Sequence, residues 1–120
     1  EADHAYALLI TLCRLHDGER EEAEAYLEDA MGSIPRDSLE YHLARLFLEP
    51  GYDSYAVTRI NRWKEEETRI RMVYYLAEYY LVEGRTSLAQ KYLLEVEDKG
   101  HPGMMERRLA QVMLEEYREE

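Results

Sequence analysis

The sequence has little of what interrupts helices, crosses membranes or forms disulfides. Only three prolines and six glycines occur in 120 residues, so long helices are permitted over most of the chain. The longest apolar run, Ala5 to Ile10, is too short to cross a bilayer and lacks the flanks of a signal peptide. A single cysteine, Cys13, excludes an internal disulfide and a cysteine-based zinc cluster. Because Cys13 lies within an apolar segment, we expect a buried, inert thiol.

Basic side chains are also scarce. The chain carries 15 Lys and Arg residues against 26 Asp and Glu residues, a formal charge of −11. A surface of that sign repels phosphate backbones, which argues against nucleic-acid binding by the whole domain. Hydrophobic residues make up 46% of the chain, enough for a folded core in what its length suggests is one domain. Neither composition nor charge decides between the cytoplasm and the periplasm.

Catalytic motifs are missing as well. No HExxH, Walker loop or Gly-x-Ser-x-Gly sequence occurs, so the common signatures of hydrolases and nucleotide-binding enzymes are not met. The four histidines are dispersed, at His4, His16, His42 and His101. Metal sites need ligands at short helical spacing or converging in a cleft. We therefore expect a non-enzymatic protein that uses no metal and no cofactor.

What the sequence does contain is an internal repeat of 33 residues. Three glycines mark it, each followed by an alanine and then a large aliphatic residue at fixed spacing: Gly18, Ala23 and Leu27; Gly51, Ala56 and Ile60; Gly84, Ala89 and Leu93. An aliphatic–small pair precedes each glycine, at 10–11, 43–44 and 76–77. Apolar side chains recur every three or four residues on both sides of the glycine, which predicts a helix–turn–helix in each copy. Glycine ends the first helix because it accepts the left-handed conformation.

The periodicity predicts helices at 2–16, 19–31, 38–49, 54–65, 69–83 and 86–98. Asp37, with Glu40 three residues later, is predicted to cap the third helix. Asp53 or Ser54 is predicted to cap the fourth helix, and Thr86 or Ser87 the sixth. Residues 64–68 contain neither glycine nor proline, and only Thr68 indicates a helix start there. This boundary is therefore weak, and the fourth and fifth helices are expected to be joined or kinked.

A final helix is predicted within residues 103–120. Four of its apolar residues share one face, Met105, Leu109, Val112 and Met113, while Glu106 belongs to the charged side. A stack of repeats needs such a half-polar closing helix, since its last repeat would otherwise expose apolar surface. We therefore expect the four apolar residues to face the core.

The repeated pattern resembles the tetratricopeptide repeat. The likeness rests on the aliphatic–small pair, a following aromatic, the glycine, the small residue after it, and a proline at the repeat junction. The third copy matches best, reading YYLAEYYLVEGRTSLAQKYLLEV from Tyr74, whereas the second has Pro50 before its glycine and the first has Arg14 in place of the aromatic. The resemblance implies one all-α domain, an α-solenoid of three antiparallel helix pairs. Its repeats would be 4–36, 37–69 and 70–102, with a capping helix at 103–120.

The resemblance also implies a function: a peptide or helix of another protein would bind the concave face formed by the first helix of each pair. Carried over to this sequence, that face holds Leu8, Leu12, His16, Tyr41, Arg45, Leu48, Glu49, Arg71, Tyr74, Glu78, Leu81, Arg107 and Gln111. Tyrosine and arginine often carry the binding energy of protein interfaces. Tyr80 and Tyr92, by contrast, are assigned to packing between helices.

A second interpretation is a structural unit that assembles with copies of itself. Leu8 and Leu12 would then form an apolar N-terminal edge that seals a homo-oligomer. Residues 38–44 and the third copy are also similar to parts of a bacterial outer-membrane lipoprotein that scaffolds cell-wall hydrolases, which would place this chain in an envelope scaffold.

Overall fold

The computed structural model describes residues 3–118, where the regular elements are helical. They are α1 (Ala5–His16), α2 (Arg20–Ala30), α3 (Leu39–Leu48), α4 (Asp53–Asn61), α5 (Glu66–Val82), α6 (Thr86–Lys99) and α7 (Met105–Arg118), with short 3₁₀ turns at Met31–Ser33 and Pro50–Tyr52. The all-helical prediction is thus confirmed for this range. The predicted start of the first helix at residue 2 and the end of the last at residue 120 lie outside it. None of the described helices has the length and hydrophobicity that a bilayer crossing requires.

The chain divides into two compact units, with the boundary between Arg62 and Trp63. In the first unit α1 packs along α2, α3 packs along α4, and both α1 and α2 contact α3. In the second unit α6 packs between α5 and α7, and α7 also contacts α5. The boundary falls inside segment 37–69, which the sequence assigned to one repeat. Residues 62–65 separate α4 from α5, so the two helices are not joined.

The alanine and the aliphatic residue that follow each repeat glycine lie in the core of their unit, whereas Ile10, of the first aliphatic–small pair, is 38% exposed. Ala23, Ala56 and Ala89, on the second helix of each pair, are fully buried. The large aliphatic residue four positions later is also buried in each copy, at Leu27, Ile60 and Leu93. A small side chain lets two helix backbones approach closely, and the aliphatic one turn later fills the space beside it. The repeat is therefore a packing pattern.

Two of the three repeat glycines end their helices in the same way. Gly18 and Gly84 have φ of +80° and +78°, the left-handed conformation that glycine adopts without a Cβ penalty. After each of them a backbone N–H reaches back five residues, from Glu19 to the carbonyl of Arg14 (2.9 Å) and from Arg85 to that of Tyr80 (2.8 Å), as in a Schellman cap. Gly51 differs: its φ is not positive, and it lies within a 3₁₀ turn that Pro50 opens.

The residues predicted to cap the helices are not the ones that do so. The N-cap of α3 is Ser38, whose Oγ accepts a hydrogen bond from the Tyr41 N–H at 3.2 Å, and not Asp37. Neither α4 nor α6 has a side-chain cap. The 3₁₀ turn runs directly into α4, and the Schellman bond of Arg85 places that residue at the N-cap of α6, so the nearby Asp, Ser and Thr side chains do not cap these two helices.

The prediction of which face of α7 is buried is also wrong. Glu106, Ala110 and Leu114 are 4%, 0% and 4% exposed. Met105, Leu109 and Val112 instead lie on the outside, at 49%, 36% and 60% exposed. Hydrophobicity favours the opposite orientation, but the carboxylate of Glu106 has partners on α5 and can be buried with them.

The expectation of a buried Cys13 is also wrong, because the thiol is exposed. The buried side of α1 is formed by Ala5, Leu8, Leu12 and Leu15, three or four residues apart as helical geometry requires. Cys13 follows Leu12 by one residue, about 100° round the helix, and therefore leaves that side.

Candidate protein-binding surface

The two leucines assigned to the binding face on α1 belong to the core of the first unit. Leu8 and Leu12 are 0% and 1% exposed, because they lie on the side of α1 that packs against α2 and α3. They are therefore unavailable both to a partner and as the apolar edge expected to seal a homo-oligomer. His16, the third predicted residue of this helix, is exposed.

In the second unit, Tyr74 is buried. It is 2% exposed and its hydroxyl donates to Glu78 Oε2 at 2.7 Å. Burial, together with the adjacent Glu78 carboxylate, raises the pKa of Tyr74 far above its ordinary value. Tyr74 therefore stabilises α5, the helix that carries it, and offers no surface to a partner.

The remaining predicted residues of the second unit are half-buried, and two of them hold α7 in place. Arg71 Nε donates to Glu106 Oε2 at 2.9 Å, and Arg107 Nε donates to the backbone carbonyl of Glu97 at 3.1 Å. The others are Glu78, Leu81 and Gln111. Tyr80 and Tyr92 pack between α5 and α6 as predicted: both are buried, with stacked rings 5.9 Å apart.

Three predicted residues of α3 do come together on an accessible face. Tyr41, Arg45 and Glu49 recur every fourth residue from α3 to its C-cap and are half-buried or exposed, with Leu48 half-buried beside them. The cluster is completed by three side chains from α4 and the turn before it, and by the buried His42 of α3, which contacts two of them. We call the set the Tyr–Arg surface: Tyr41, His42, Arg45, Glu49, Tyr52, Tyr55 and Arg59.

Ring contacts and one ion pair fix the geometry of the Tyr–Arg surface. The Arg45 guanidinium lies 4.3 Å from the ring centroid of Tyr52, and its Nε donates to Glu49 Oε2 at 2.9 Å. The rings of Tyr52 and Tyr55 are 5.1 Å apart, and the Arg59 guanidinium lies 5.9 Å from the Tyr55 ring. Such cation–π and ring contacts hold side chains in defined positions before any partner arrives. The hydrogen bond from Arg45 also lowers the pKa of Glu49.

His42 lies beneath these rings. It is 6% exposed, and its Nδ1 is 3.0 Å from the Tyr52 hydroxyl. Its ring is nearly parallel to that of Tyr52, with the ring centroids 6.2 Å apart. Nε2 of His42 has no hydrogen-bond partner among residues 3–118. Burial lowers the pKa of His42, and the charges of Arg59 and Arg45 lower it further, so the imidazole is held neutral. Its contact with the Tyr52 hydroxyl helps to position that tyrosine.

The Tyr–Arg surface borders an open cleft. Tyr41 lines this cleft, which has a volume of about 330 Å³ and is otherwise lined by Met31, Gly32, Ile34 and Arg36. The 3₁₀ turn that follows α2 forms one wall. A space of this size accommodates one or two amino-acid side chains, and its lining combines apolar atoms with one guanidinium.

Four members of the Tyr–Arg surface were not among the residues predicted for the binding face: His42, Tyr52, Tyr55 and Arg59. The family resemblance directs attention to the first helix of each pair, whereas three of these residues lie on α4 or in the turn before it. A signal was present in their spacing, since Tyr52, Tyr55 and Arg59 follow one another at three and four residues and so share one helical side.

A second polar cleft, of about 280 Å³, lies in the second unit. At its mouth His101 Nδ1 accepts a hydrogen bond from the Gly103 N–H at 3.2 Å. Nε2 therefore carries the proton and donates to Glu67 Oε1 at 2.5 Å. Deeper in the cleft, Glu106 Oε2 accepts from Arg71 and from Tyr75. These polar groups satisfy one another, which is what a structural network requires.

Comparison with protein-family models, with curated proteins and with solved structures finds no match to this chain.

Proposed function

We propose that this chain is a non-catalytic helical-repeat module of the tetratricopeptide type, and that it binds a segment of another protein through the Tyr–Arg surface. The repeat type is supported by the helix pairs α1–α2, α3–α4 and α5–α6 and by the buried alanines of the repeat. The single observation that carries the binding proposal is the cluster of Tyr41, Arg45, Tyr52 and Tyr55 on one accessible side of the first unit.

The residue types of this surface suit a protein partner. Tyrosine and arginine are enriched among the residues that dominate interface energies, because each combines apolar area with a polar group. Tyr55 is 51% exposed, and the Arg45 side chain is 37% exposed, so a partner has area to cover. Because ring contacts and the Arg45–Glu49 pair already order these side chains, binding loses less conformational entropy than it would with free ones.

The neighbouring charges indicate the chemistry of the partner segment. Among the residues that the structure describes, no carboxylate forms an ion pair with Arg36, at the cleft, or with Arg59, beside Tyr55. Although the chain has a formal charge of −11, charges farther than about 8–10 Å are largely screened at physiological salt. The partner segment is therefore expected to place an apolar side chain in the cleft and an acidic side chain near these arginines.

A comparative capture experiment tests the proposal. The parent chain, the Tyr41→Ala plus Arg45→Ala variant, and Tyr6→Ala are immobilised and exposed to a lysate of the source organism, and retained proteins are identified by mass spectrometry. Tyr6 is 64% exposed on α1, outside the Tyr–Arg surface, and so controls for loss of an exposed tyrosine. We expect at least one protein that the parent and Tyr6→Ala retain and the double variant loses. Identical capture by all three proteins would refute the assignment.

A further inference from the structure

The outer side of α7 carries an apolar stripe that nothing in the second unit covers. It consists of Met105, Leu109 and Val112, at 49%, 36% and 60% exposed, spaced by four and three residues as on one helical side. The opposite side of the helix, with Ala110 and Leu114, faces the core of the unit. An isolated exposed apolar residue is ordinary, and Leu94 on α6 is one. Three in a helical row are typical of a helix–helix contact.

The charges beside the stripe indicate what covers it. Arg108 and Glu115 are both exposed and stand seven residues apart, which is two helical turns, so they flank the stripe on the same side. Met113 lies on the other flank and is half-buried. One flank thus carries the positive charge of Arg108 at one level and, two turns further on, the Glu115 carboxylate, which Arg118 Nη1 contacts at 3.3 Å but leaves 64% exposed.

We propose that two copies of this chain associate through α7, with the two helices antiparallel and stripe against stripe. In this arrangement Leu109 of one copy packs against Val112 of the other. Antiparallel helices bring the same flank of each copy together, so Arg108 of each copy meets Glu115 of the other. A two-fold interface requires a patch that complements itself, and this flank does. In a parallel pair Arg108 would instead face the flank of Met113 and gain no opposite charge.

The association is expected to be weak. α7 has 14 residues and spans about 21 Å, so a single pair of such helices is a small contact beside the roughly 1,200–2,000 Å² of a standard interface. We expect a dissociation constant on the order of 100 μM.

Sedimentation equilibrium from about 10 μM to 1 mM, a range that brackets this constant, tests the stripe. The parent is expected to follow a monomer–dimer equilibrium, and Leu109→Gln plus Val112→Gln to remain monomeric throughout. Leu94→Gln is the control, since Leu94 is 49% exposed on α6, off the stripe, and it should dimerise as the parent does. Far-UV circular dichroism establishes that each variant is folded. A monomeric parent, or a dimer that survives the double substitution, would overturn the proposal.

Charge reversal tests the antiparallel pairing independently of the apolar contact. Arg108→Glu and Glu115→Arg each turn two attractive pairs into two repulsive ones, so each variant alone is expected to dimerise about tenfold more weakly or worse. An equimolar mixture should regain parental affinity, because the mixed dimer places opposite charges at both positions. A mixture no stronger than either variant would exclude this arrangement. Tyr41→Ala plus Arg45→Ala should dimerise as the parent, so failure of the partner-binding proposal would leave this inference untouched.

Discussion

At the scale of single residues, the buried imidazole of His42 makes the stability of the first unit depend on pH. Folding lowers the pKa of His42 below its ordinary value of 6.5, because burial and then the charges of Arg59 and Arg45 disfavour the protonated ring. Below about pH 6.5 the unfolded chain therefore binds a proton that the folded chain excludes. Stability is fully present above that pH and falls as the pH drops towards the folded-state pKa.

We predict that His42→Gln removes this loss of stability at low pH. An amide cannot titrate, yet it can still form a hydrogen bond with the Tyr52 hydroxyl, which lies 3.0 Å from Nδ1 in the parent. Urea denaturation between about pH 5 and pH 7.5, a range that spans the unfolded-state pKa, should give a flatter pH profile for this variant than for the parent. His16→Gln is the control, since His16 is an exposed histidine of the same unit. Equal slopes for the parent and His42→Gln would show that another group is responsible.

At the scale of helices and turns, the three repeat glycines are not equivalent. Gly18 and Gly84 are left-handed, and a Cβ at either position is strained whatever the space around it. Gly51 lies in a 3₁₀ turn without a positive φ, and an added Cβ meets nothing within 4 Å. The glycines mark the turns of the repeat, but only two of them are required by backbone conformation.

Alanine substitution should therefore separate them. Gly18→Ala and Gly84→Ala are each predicted to lower the free energy of unfolding by about 1–2 kcal/mol. Gly51→Ala should leave it unchanged or raise it by up to about 1 kcal/mol, because alanine restricts the unfolded chain. Urea denaturation of the three variants measures this directly. Equal losses at all three positions would mean that Gly51 shares the left-handed turn.

The docking of α7 is predicted to depend on Glu106. Its carboxylate accepts from Arg71 at 2.9 Å and from the Tyr75 hydroxyl at 3.1 Å, and its side chain is 5% exposed. Glu106→Ala removes the acceptor of these two hydrogen bonds and is expected to cost about 2–4 kcal/mol in unfolding free energy. Glu106→Gln retains one acceptor oxygen and should cost less, about 1 kcal/mol.

Chemical denaturation of these variants measures the two costs, with Glu116→Ala as the control for loss of an exposed carboxylate on the same helix. A loss in Glu106→Ala no larger than in Glu116→Ala would show that the buried network does not hold α7.

The existence of α7 could be predicted from the sequence, but its orientation could not. Its existence follows from the apolar period, but its orientation depends on partners 31 and 35 residues earlier, Tyr75 and Arg71. If Glu106 had no partners on α5, its burial and the exposure of Val112 would both oppose the hydrophobic effect. The helix caps failed for a related reason, since backbone turns rather than side chains begin α4 and α6. By contrast, the sequence did indicate Ala23, Ala56 and Ala89, because each copy needs a small side chain at the same position for its two helices to pack closely.

At the scale of the whole molecule, the sequence predicted an all-helical chain and the residues that recur in its core. It also indicated Tyr41, Arg45 and Glu49 as candidate binding residues, and these three lie on one accessible face. It placed Leu8, Leu12 and Tyr74 on the same predicted face, although they are buried. The position of a residue in the tetratricopeptide pattern predicts which helix carries it. The local packing of each unit decides whether its side chain reaches the surface. Tyr52 and Tyr55 emerged only from that packing.

Site-specific photo-crosslinking tests most directly whether another protein binds this chain at the Tyr–Arg surface. A photoreactive phenylalanine analogue replaces Tyr55 in one chain and Tyr6 in another, since these tyrosines are 51% and 64% exposed. Irradiation in a lysate of the source organism should give a covalent adduct with a different protein from position 55 and none with that protein from position 6. The same adducts from both positions, or adducts only between copies of this chain, would contradict binding of another protein at this surface.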